Sequence, residues 1–356
     1  MVTPWFPTGD DPVAGRFVWR EVSALAALHD VRVLHLDWQR MGTDLDAADL
    51  PAEVTRVPLD RRRPSDFARA RRAVRSAARG AEVVHTHALT GLLPWADRRV
   101  HDGPWVHTEH WSGLSTPATL SLPQRAIRRL LLPSLARPDV VVAESRILFD
   151  AVREHRRGPI ALVPCVVPRA PLVERPRGPR LRLVAVGGLI PRKGPLEAVD
   201  MVADLVTAGH DVALTWVGGG PLHEQVREHA DRLSVGDRVD LVGAQDDAGV
   251  RRHLQAADMF VLPTRGENFS VVVAEALVAG RPVVSGVPTG AVDYAPPAVS
   301  RFVEEHTGPA YAEAVSELAA ATSELSAADV AATVGDAFSP AHVAEALTAV
   351  YRQATG

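Results

Sequence analysis

The stretch from Asp258 to Ser285 constrains this chain most. Asp258 to Leu262 is a short apolar run, Pro263 to Ser270 a polar loop, and Val271 to Ala279 an apolar helical run stopped by Gly280. Pro282 to Ser285 is a second short apolar run. This pattern reads as a buried strand, a loop, a helix and the next strand. The first-turn amides of such a helix lack internal partners, so a loop leading into it is an anion site. Two glutamates stand eight residues apart, Glu267 in the loop and Glu275 in the helix. A carboxylate inside an apolar helix needs a polar partner, from the protein or from a ligand, or else an outlet to water.

The same unit recurs. Leu181 to Val186 reads as a strand, and Gly187 to Gly194 as its loop. Pro195 opens a helix that ends near Gly209. Val212 to Val217 is a strand that runs into Gly218-Gly219-Gly220, followed by a helix to about Leu233. A strand at Val239 to Val242 and a helix around Ala248 to Ala256 lead back to the opening stretch.

The first half has the same rhythm. Met1 to Pro4 is a stub of strand, Gly15 opens a helix to about Leu28, and Val31 to Leu36 is a strand. Further strands fit Val83–His85, Trp105–Thr108, Val140–Ala143 and Ala161–Val163, with helices at Ser65–Arg79, Pro123–Leu135 and Ser145–Arg153. Alternating strands and helices predict an α/β fold of doubly wound domains. The 356 residues suffice for two domains. We expect them at 1–168 and 178–337, with a Pro- and Arg-rich linker at Pro168 to Arg180 and a last helix within 338–356. Ala310 to Ala332 reads as a surface helix.

Lys193 is the single lysine among 39 basic residues. A chain that uses arginine almost everywhere keeps a lysine where a compact point charge serves better, such as at a phosphate. Charge is divided: 27 arginines face 20 carboxylates through residue 180, and 12 bases face 23 carboxylates beyond it. Eight of the arginines crowd residues 61–79, which makes that stretch the candidate for peripheral contact with an anionic membrane surface. It carries almost no aromatics and the chain is net acidic at −4, so nucleic acid is not an expected partner. One cysteine, Cys165, precludes an intrachain disulfide and reads as a small buried residue. No apolar run is long enough to span a bilayer, and the first residues have no signal-peptide pattern. A cytoplasmic protein is the expectation, peripheral at the inner face of the membrane through 61–79. His85 and His87 share one face of a strand, but no third metal ligand has matching spacing. Asp10-Asp11 and Asp246-Asp247 read as turn residues, so no metal site is expected.

The Glu267 to Glu275 spacing, in its strand-loop-helix setting, resembles the E-x7-E signature of retaining GT-B glycosyltransferases of the family 4 group. Val186 to Gly194 resembles that family's Gly-Arg-Leu…Lys-Gly phosphate loop, and Gly218 to Gly220 its Val-Gly-x-Gly-Pro turn. The resemblance implies two Rossmann-like doubly wound domains facing across a cleft, the first on the acceptor side and the second binding the donor nucleotide. The last helix would pack back on the first domain. Glu267 would contact the donor sugar and Glu275 the ribose. Backbone at Asn268, Phe269, Ser270 and Val271, with Lys193, would hold the diphosphate. Gly188 replaces the family's arginine, and Arg192 stands nearby. His110 corresponds to the family's active-site histidine, while His107 would point into the domain. Gly15 corresponds to its N-terminal glycine loop. The implied activity is metal-independent hexosyl transfer, with retention, from a UDP- or GDP-linked sugar as substrate, without a cofactor, to a small-molecule or lipid-linked acceptor. An epimerase or hydrolase on the same fold, or a non-catalytic sugar-nucleotide binder, are the alternatives.

Overall fold

In the computed structural model the described residues are 1–38, 45–46, 49–60, 63–95, 102–117, 120–176 and 178–356. The chain divides into two units, Met1–Pro168 with Ala337–Gly356, and Arg169–Asp336.

The first unit contains β1 (Val2–Thr3), β2 (Arg32–Asp37), β3 (Glu53–Pro58), β4 (Val84–His87), β5 (Trp105–Glu109), β6 (Val140–Ala143) and β7 (Ile160–Leu162). They form a parallel sheet in the order β3-β2-β1-β4-β5-β6-β7. The stub β1 is two residues long yet central, because Val2 pairs with Leu34 of β2 and with Thr86 of β4. Alternation along the strands sends side chains to opposite faces. Trp105, Val141 and Ala143 join a core with Ala70, Val74, Leu89, Leu92, Trp95, Leu131 and Leu135. Val106, Val140 and Val142 join another with Ala24, Leu25, Val343 and Leu347. The Pro64–Ala77 and Leu122–Leu131 helices therefore cover one face, and the Arg16–Leu25 and Pro340–Thr355 helices the other.

The second unit contains β8 (Leu181–Val186), β9 (Val212–Val217), β10 (Val239–Gly243), β11 (Met259–Leu262), β12 (Val283–Gly286) and β13 (Ser300–Val303). The sheet is parallel, in the order β10-β9-β8-β11-β12-β13. Both units are Rossmann-like. Strand order reverses between β1 and β4 in one and between β8 and β11 in the other, and such switch points are where α/β sheets bind ligands, beyond the carboxyl ends of the strands.

Three expectations need correction. β3 and β13 were not anticipated: β3 alternates charged and apolar residues and ends in proline, and β13 is four residues long. Ala310 to Ala332 is no surface helix. It is two helices, Gly308–Ala321 and Ala327–Ala332, with Tyr311, Val315, Leu318, Ala327 and Val330 fully buried. The stretch expected as linker, Pro168 to Arg180, begins where the two units divide, and its described part packs on the second unit. Arg175 Nη2 donates to Leu325 O at 2.6 Å, Val173 O accepts from the buried Arg281 at 2.9 Å, and Glu174 accepts from Ala327 N at 3.2 Å. Finally, β4 extends to His87, two residues beyond its expected end.

No helix among the described residues is long and apolar enough to cross a membrane. Arg61 and Arg62 of the basic stretch lie outside the described residues.

Candidate active-site residues

The loop after β8 and the loop after β11 are locked together at Gly194. Its φ is +68°, and a Cβ there would stand 2.1 Å from Pro263 O, so no larger residue fits without separating the loops. Arg265 N also donates to Arg192 O at 2.8 Å, and Thr264 Oγ1 to the same carbonyl at 3.2 Å. This lock brings Arg192 Nη1 and Lys193 Nζ to 2.5 and 2.6 Å from a single oxygen, Glu267 Oε1. The Thr264 hydroxyl lies 3.2 Å from it as well. Burial pushes the Glu267 carboxyl up, but the Lys193 ammonium and then the Arg192 guanidinium outweigh it and hold the group below its ordinary value. Three residues nominated from sequence thus meet at one carboxylate, and Arg192 points the same way as its neighbour.

The helix start is unusual. Ser270 sits in the left-handed region at φ 63°, a conformation that costs a serine about 1 kcal/mol or more. Its hydroxyl is buried without a hydrogen-bond partner. Tyr294 Oη lies 2.8 and 2.9 Å from the carbonyls of Phe269 and Ser270, which fixes the turn. The Val273 and Ala274 amides bond back to Ser270 O at 3.0 and 3.3 Å. The amides ahead of them belong to the first turn of the Val271–Val278 helix, whose partial positive charge points out of its N-terminus. Asn268 and Phe269 are buried in this loop, and Glu275 is half-buried one turn into the helix. The carboxyl end of β8 is equally tight. Gly218 and Gly220 have φ values of +140° and +159°, and side chains there would meet Gly187 O and Leu189 O at 2.1 and 2.5 Å.

In the first unit, His110 follows β5. Its Nδ1 lies 2.6 Å from Glu144 Oε1 and its Nε2 3.0 Å from His87 Nδ1, with the two imidazole rings edge to edge and within 6° of parallel. Burial disfavours the imidazolium, but the Glu144 carboxylate outweighs it, and His110 is held above the ordinary histidine value. Burial pushes His85 and His87 well below that value, with the neighbouring positive groups adding to it. The arrangement suits a cationic His110 that donates from both nitrogens. Glu109 accepts from the backbone amides of His110 and Trp111 at 2.9 and 2.8 Å, which fixes the strand end and gives Glu109 a packing role. His107 points inward, as expected, with Nδ1 2.9 Å from Thr86 Oγ1 and Nε2 3.3 Å from Glu109 Oε2.

Three residues were not legible beforehand. Glu144 emerges from β6 only through the fold. Cys165 does more than fill space, since its thiol donates to Glu144 Oε1 at 2.9 Å. Glu21, on the first helix, supplies the third group missing beside the histidine pair: its Oε1 lies 3.7 Å from His85 Nδ1 and 3.6 Å from His87 Nε2. One ligand-type atom from each of these three buried residues falls within 4.8 Å of the others. The histidine pair thus has a third ligand-type neighbour, contrary to expectation, because Glu21 arrives from a helix rather than from the strand. Burial pushes Glu21 up to about 8, with Glu144 adding and His110 opposing. Asp11 sits in a turn and accepts from Ala14 N at 3.0 Å, whereas Asp246 is the N-cap of the Asp247–Gln255 helix and accepts from Gly249 N at 2.7 Å, so the second pair opens a helix rather than a turn. Gly15 has a reason in packing, since at φ +69° a Cβ would lie 2.4 Å from the Trp5 carbonyl carbon.

Two Rossmann-like sheets, with a basic loop and a helix start at the switch point of one and a histidine cluster at that of the other, are the marks of the GT-B class. The chain is similar over 99% of its length to sucrose-phosphate synthase from Thermosynechococcus elongatus, covering 98% of that chain with a TM-score of 0.82 at 19% identity. Anabaena HepE in complex with UDP and glucose matches over 99% of both chains, with a TM-score of 0.75 at 14% identity. These likenesses are of fold. In sequence, the family model described as Glycosyltransferase Family 4 matches residues 14–170, and that described as Glycosyl transferases group 1 matches residues 180–321. The chain belongs to glycosyltransferase family 4. It is 28% identical over 309 residues to the D-inositol 3-phosphate glycosyltransferase of Mycobacterium marinum, which is 77% of this chain and 64% of that protein. It is 36% identical over 131 residues to a GDP-mannose-dependent alpha-(1-6)-phosphatidylinositol monomannoside mannosyltransferase of Mycobacterium tuberculosis, covering 35% of this chain and 34% of that one. The match to the D-inositol 3-phosphate glycosyltransferase of Segniliparus rotundus spans 53% of that protein, so the chain spans about half to two thirds of such relatives.

Proposed function

We propose that this chain transfers a hexosyl group from a UDP- or GDP-linked sugar to an acceptor hydroxyl, with retention of anomeric configuration. The observation that carries the reading is the convergence of Lys193, Arg192 and Glu267 beside the Val271–Val278 helix start. A departing nucleoside diphosphate gains negative charge as the bond from the anomeric carbon to the phosphate oxygen breaks. Lys193, Arg192 and the first-turn amides near Phe269 to Val271 offset that charge. Glu267, kept ionised by its two cations, accepts from donor hydroxyls, and Glu275 accepts from the ribose. His110, an imidazolium whose two N–H groups are taken by Glu144 and His87, contributes its positive charge at the end of β5 rather than a hydrogen bond. The new bond joins the acceptor oxygen to the anomeric carbon, and the acceptor proton leaves to the departing phosphate, so no protein nucleophile is required. The cations supply the neutralisation that a divalent ion supplies elsewhere, and the reaction proceeds without one.

The acceptor is a polyol or a lipid-linked one, in keeping with relatives named for inositol phosphate and phosphatidylinositol mannoside substrates. Screening UDP- and GDP-hexoses by thermal shift tests the donor assignment, since a ligand bound to the folded chain raises its melting temperature in step with RT ln(1 + [L]/Kd). Absence of any shift across the panel at saturating concentrations would overturn it.

A further inference from the structure

We infer that Glu21, His85 and His87 form a binding site for one divalent ion of the zinc type, which ties the Arg16–Leu25 helix to β4. The site lies wholly within the first unit and does not rest on the transfer reading. His85 and His87 stand at alternate positions of β4 and so turn to one face of the sheet, where the first helix lays Glu21 beside them. Glu21 is 8% exposed, His85 2%, and His87 is fully buried. One ligand-type atom from each lies within 4.8 Å of the other two. Glu21 Oε1 and His87 Nε2 are buried and make no hydrogen bond among the described residues. A buried polar atom with no partner is costly, and two that face each other call for an occupant.

The separations select that occupant. Glu21 Oε1 is 3.6 Å from His87 Nε2 and 3.7 Å from His85 Nδ1. Both gaps are too long for a hydrogen bond. They are also too short for a bridging water, which at about 2.8 Å from each atom would have to bond them at an angle of about 80°. Zinc holds nitrogen at about 2.0–2.1 Å and carboxylate oxygen at about 2.0–2.2 Å, and at those bond lengths the same gaps subtend about 120°. That is close to the tetrahedral angle and far from the octahedral angle that magnesium demands. Two imidazoles with one carboxylate also suit zinc better than magnesium or calcium.

The ring nitrogens turned away from the gap have fixed partners, as metal-binding histidines require. His85 Nε2 lies 2.6 Å from Thr108 Oγ1, and His87 Nδ1 lies 3.0 Å from His110 Nε2. Tyr351 Oη, from the last helix, is 2.8 Å from His85 Nδ1, beside the fourth position of a tetrahedral ion. With the ion on Nε2, His87 carries its ring proton on Nδ1 and donates it to His110, which reverses that hydrogen bond. The ion and the His110 imidazolium are thus alternative states of one cluster, and transfer belongs to the metal-free one.

The test is calorimetry with metal analysis. Zinc chloride is titrated into the metal-free chain, and bound zinc is also counted on chain refolded in its presence, so that slow entry does not hide binding. The expected result is one ion per chain and a melting temperature that rises with zinc. Cobalt(II) offered in the same way should show the intense visible bands of four-coordination rather than the weak ones of six. Glu21→Gln keeps the shape of the side chain but removes the anionic ligand. It should bind zinc at least about tenfold more weakly, since loss of even an outer partner costs about 10–100-fold, while melting no lower than wild type in chelator. Thr108→Val removes the outer partner of His85 and should weaken zinc about 10–100-fold. Absence of bound zinc after refolding would overturn the proposal, as would six-coordinate cobalt. So would equal zinc affinity in wild type and Glu21→Gln, which would place the ion at other histidines.

Discussion

Replacing Lys193 by alanine removes one of the two cations at Glu267 and the compact charge best placed for a diphosphate. Lys193 Nζ sits 2.6 Å from Glu267 Oε1, and its stem passes close to Gly187, where an added Cβ would stand 3.3 Å away. Its head is thus held at the carboxyl end of β8 before any ligand arrives. A charge-assisted contact is worth roughly 1.5–3 kcal/mol, and a factor of ten in affinity corresponds to about 1.4 kcal/mol. The variant should therefore bind UDP or GDP about tenfold to over a hundredfold more weakly in isothermal titration. Arg192 remains 2.5 Å from the same oxygen, so Glu267 stays paired and the unliganded fold should melt close to wild type. Arg265, paired with Glu197 and exposed, is the control: Arg265→Ala should leave nucleotide affinity unchanged. Unchanged affinity in Lys193→Ala, with a normal melt, would refute the phosphate assignment.

Other outcomes follow from the same geometry. Glu275→Ala should weaken nucleotide binding, whereas His110→Ala should lower kcat with donor affinity retained; equal loss of donor binding in both would sink that division of roles. Glu144 holds the His110 imidazolium, so turnover should fall as pH rises through the raised His110 value, and Glu144→Gln should move that limb of the kcat profile to lower pH. Burial holds the Glu21 proton more tightly in the folded chain, up to about 8. Its contribution to stability is therefore full below the ordinary glutamate range and is lost as pH rises through about 8. Glu21→Gln should gain stability relative to wild type between about pH 5 and about pH 8.5 in denaturant titrations, and a constant difference would show that Glu21 ionises freely. Transfer should persist in excess chelator; complete loss restored by magnesium or manganese would show that charge neutralisation by Lys193 and Arg192 is insufficient.

Much of the second unit was readable in advance because its strands are apolar runs bounded by glycine and proline. β8 and β9 occur at the expected residues, whereas the meeting of Lys193 and Arg192 at Glu267 is visible only in the fold, since neighbouring loop residues ordinarily point different ways. The stub at the start of the chain was read correctly as short, but its central place in the sheet came from pairing on both sides, which length alone does not reveal. The polar cluster of the first unit was half legible. His85, His87 and His110 lie at strand ends, where histidines attract notice. Glu21 and Glu144 come from a helix and from a loop far away in sequence, and parallel strand order alone brings them to those histidines. β3 and β13 escaped because a short or charge-alternating segment has no apolar run to announce it. The exposed face of the Leu122–Leu131 helix was also hidden. In sequence its leucines look like any amphipathic core face, and burial alone shows that they face outward.

The most direct test of glycosyl transfer is acceptor-dependent release of nucleoside diphosphate. The chain is incubated with each UDP- and GDP-hexose, with and without D-inositol 3-phosphate and phosphatidylinositol mannosides, and the products are weighed by mass spectrometry. The account predicts that one donor releases its diphosphate in step with an acceptor that gains one hexose, and that Lys193→Ala slows this release. Release at the same rate without any acceptor would mean hydrolysis, and tight donor binding with no release across the panel would mean a binding protein; either result contradicts the claim of transfer.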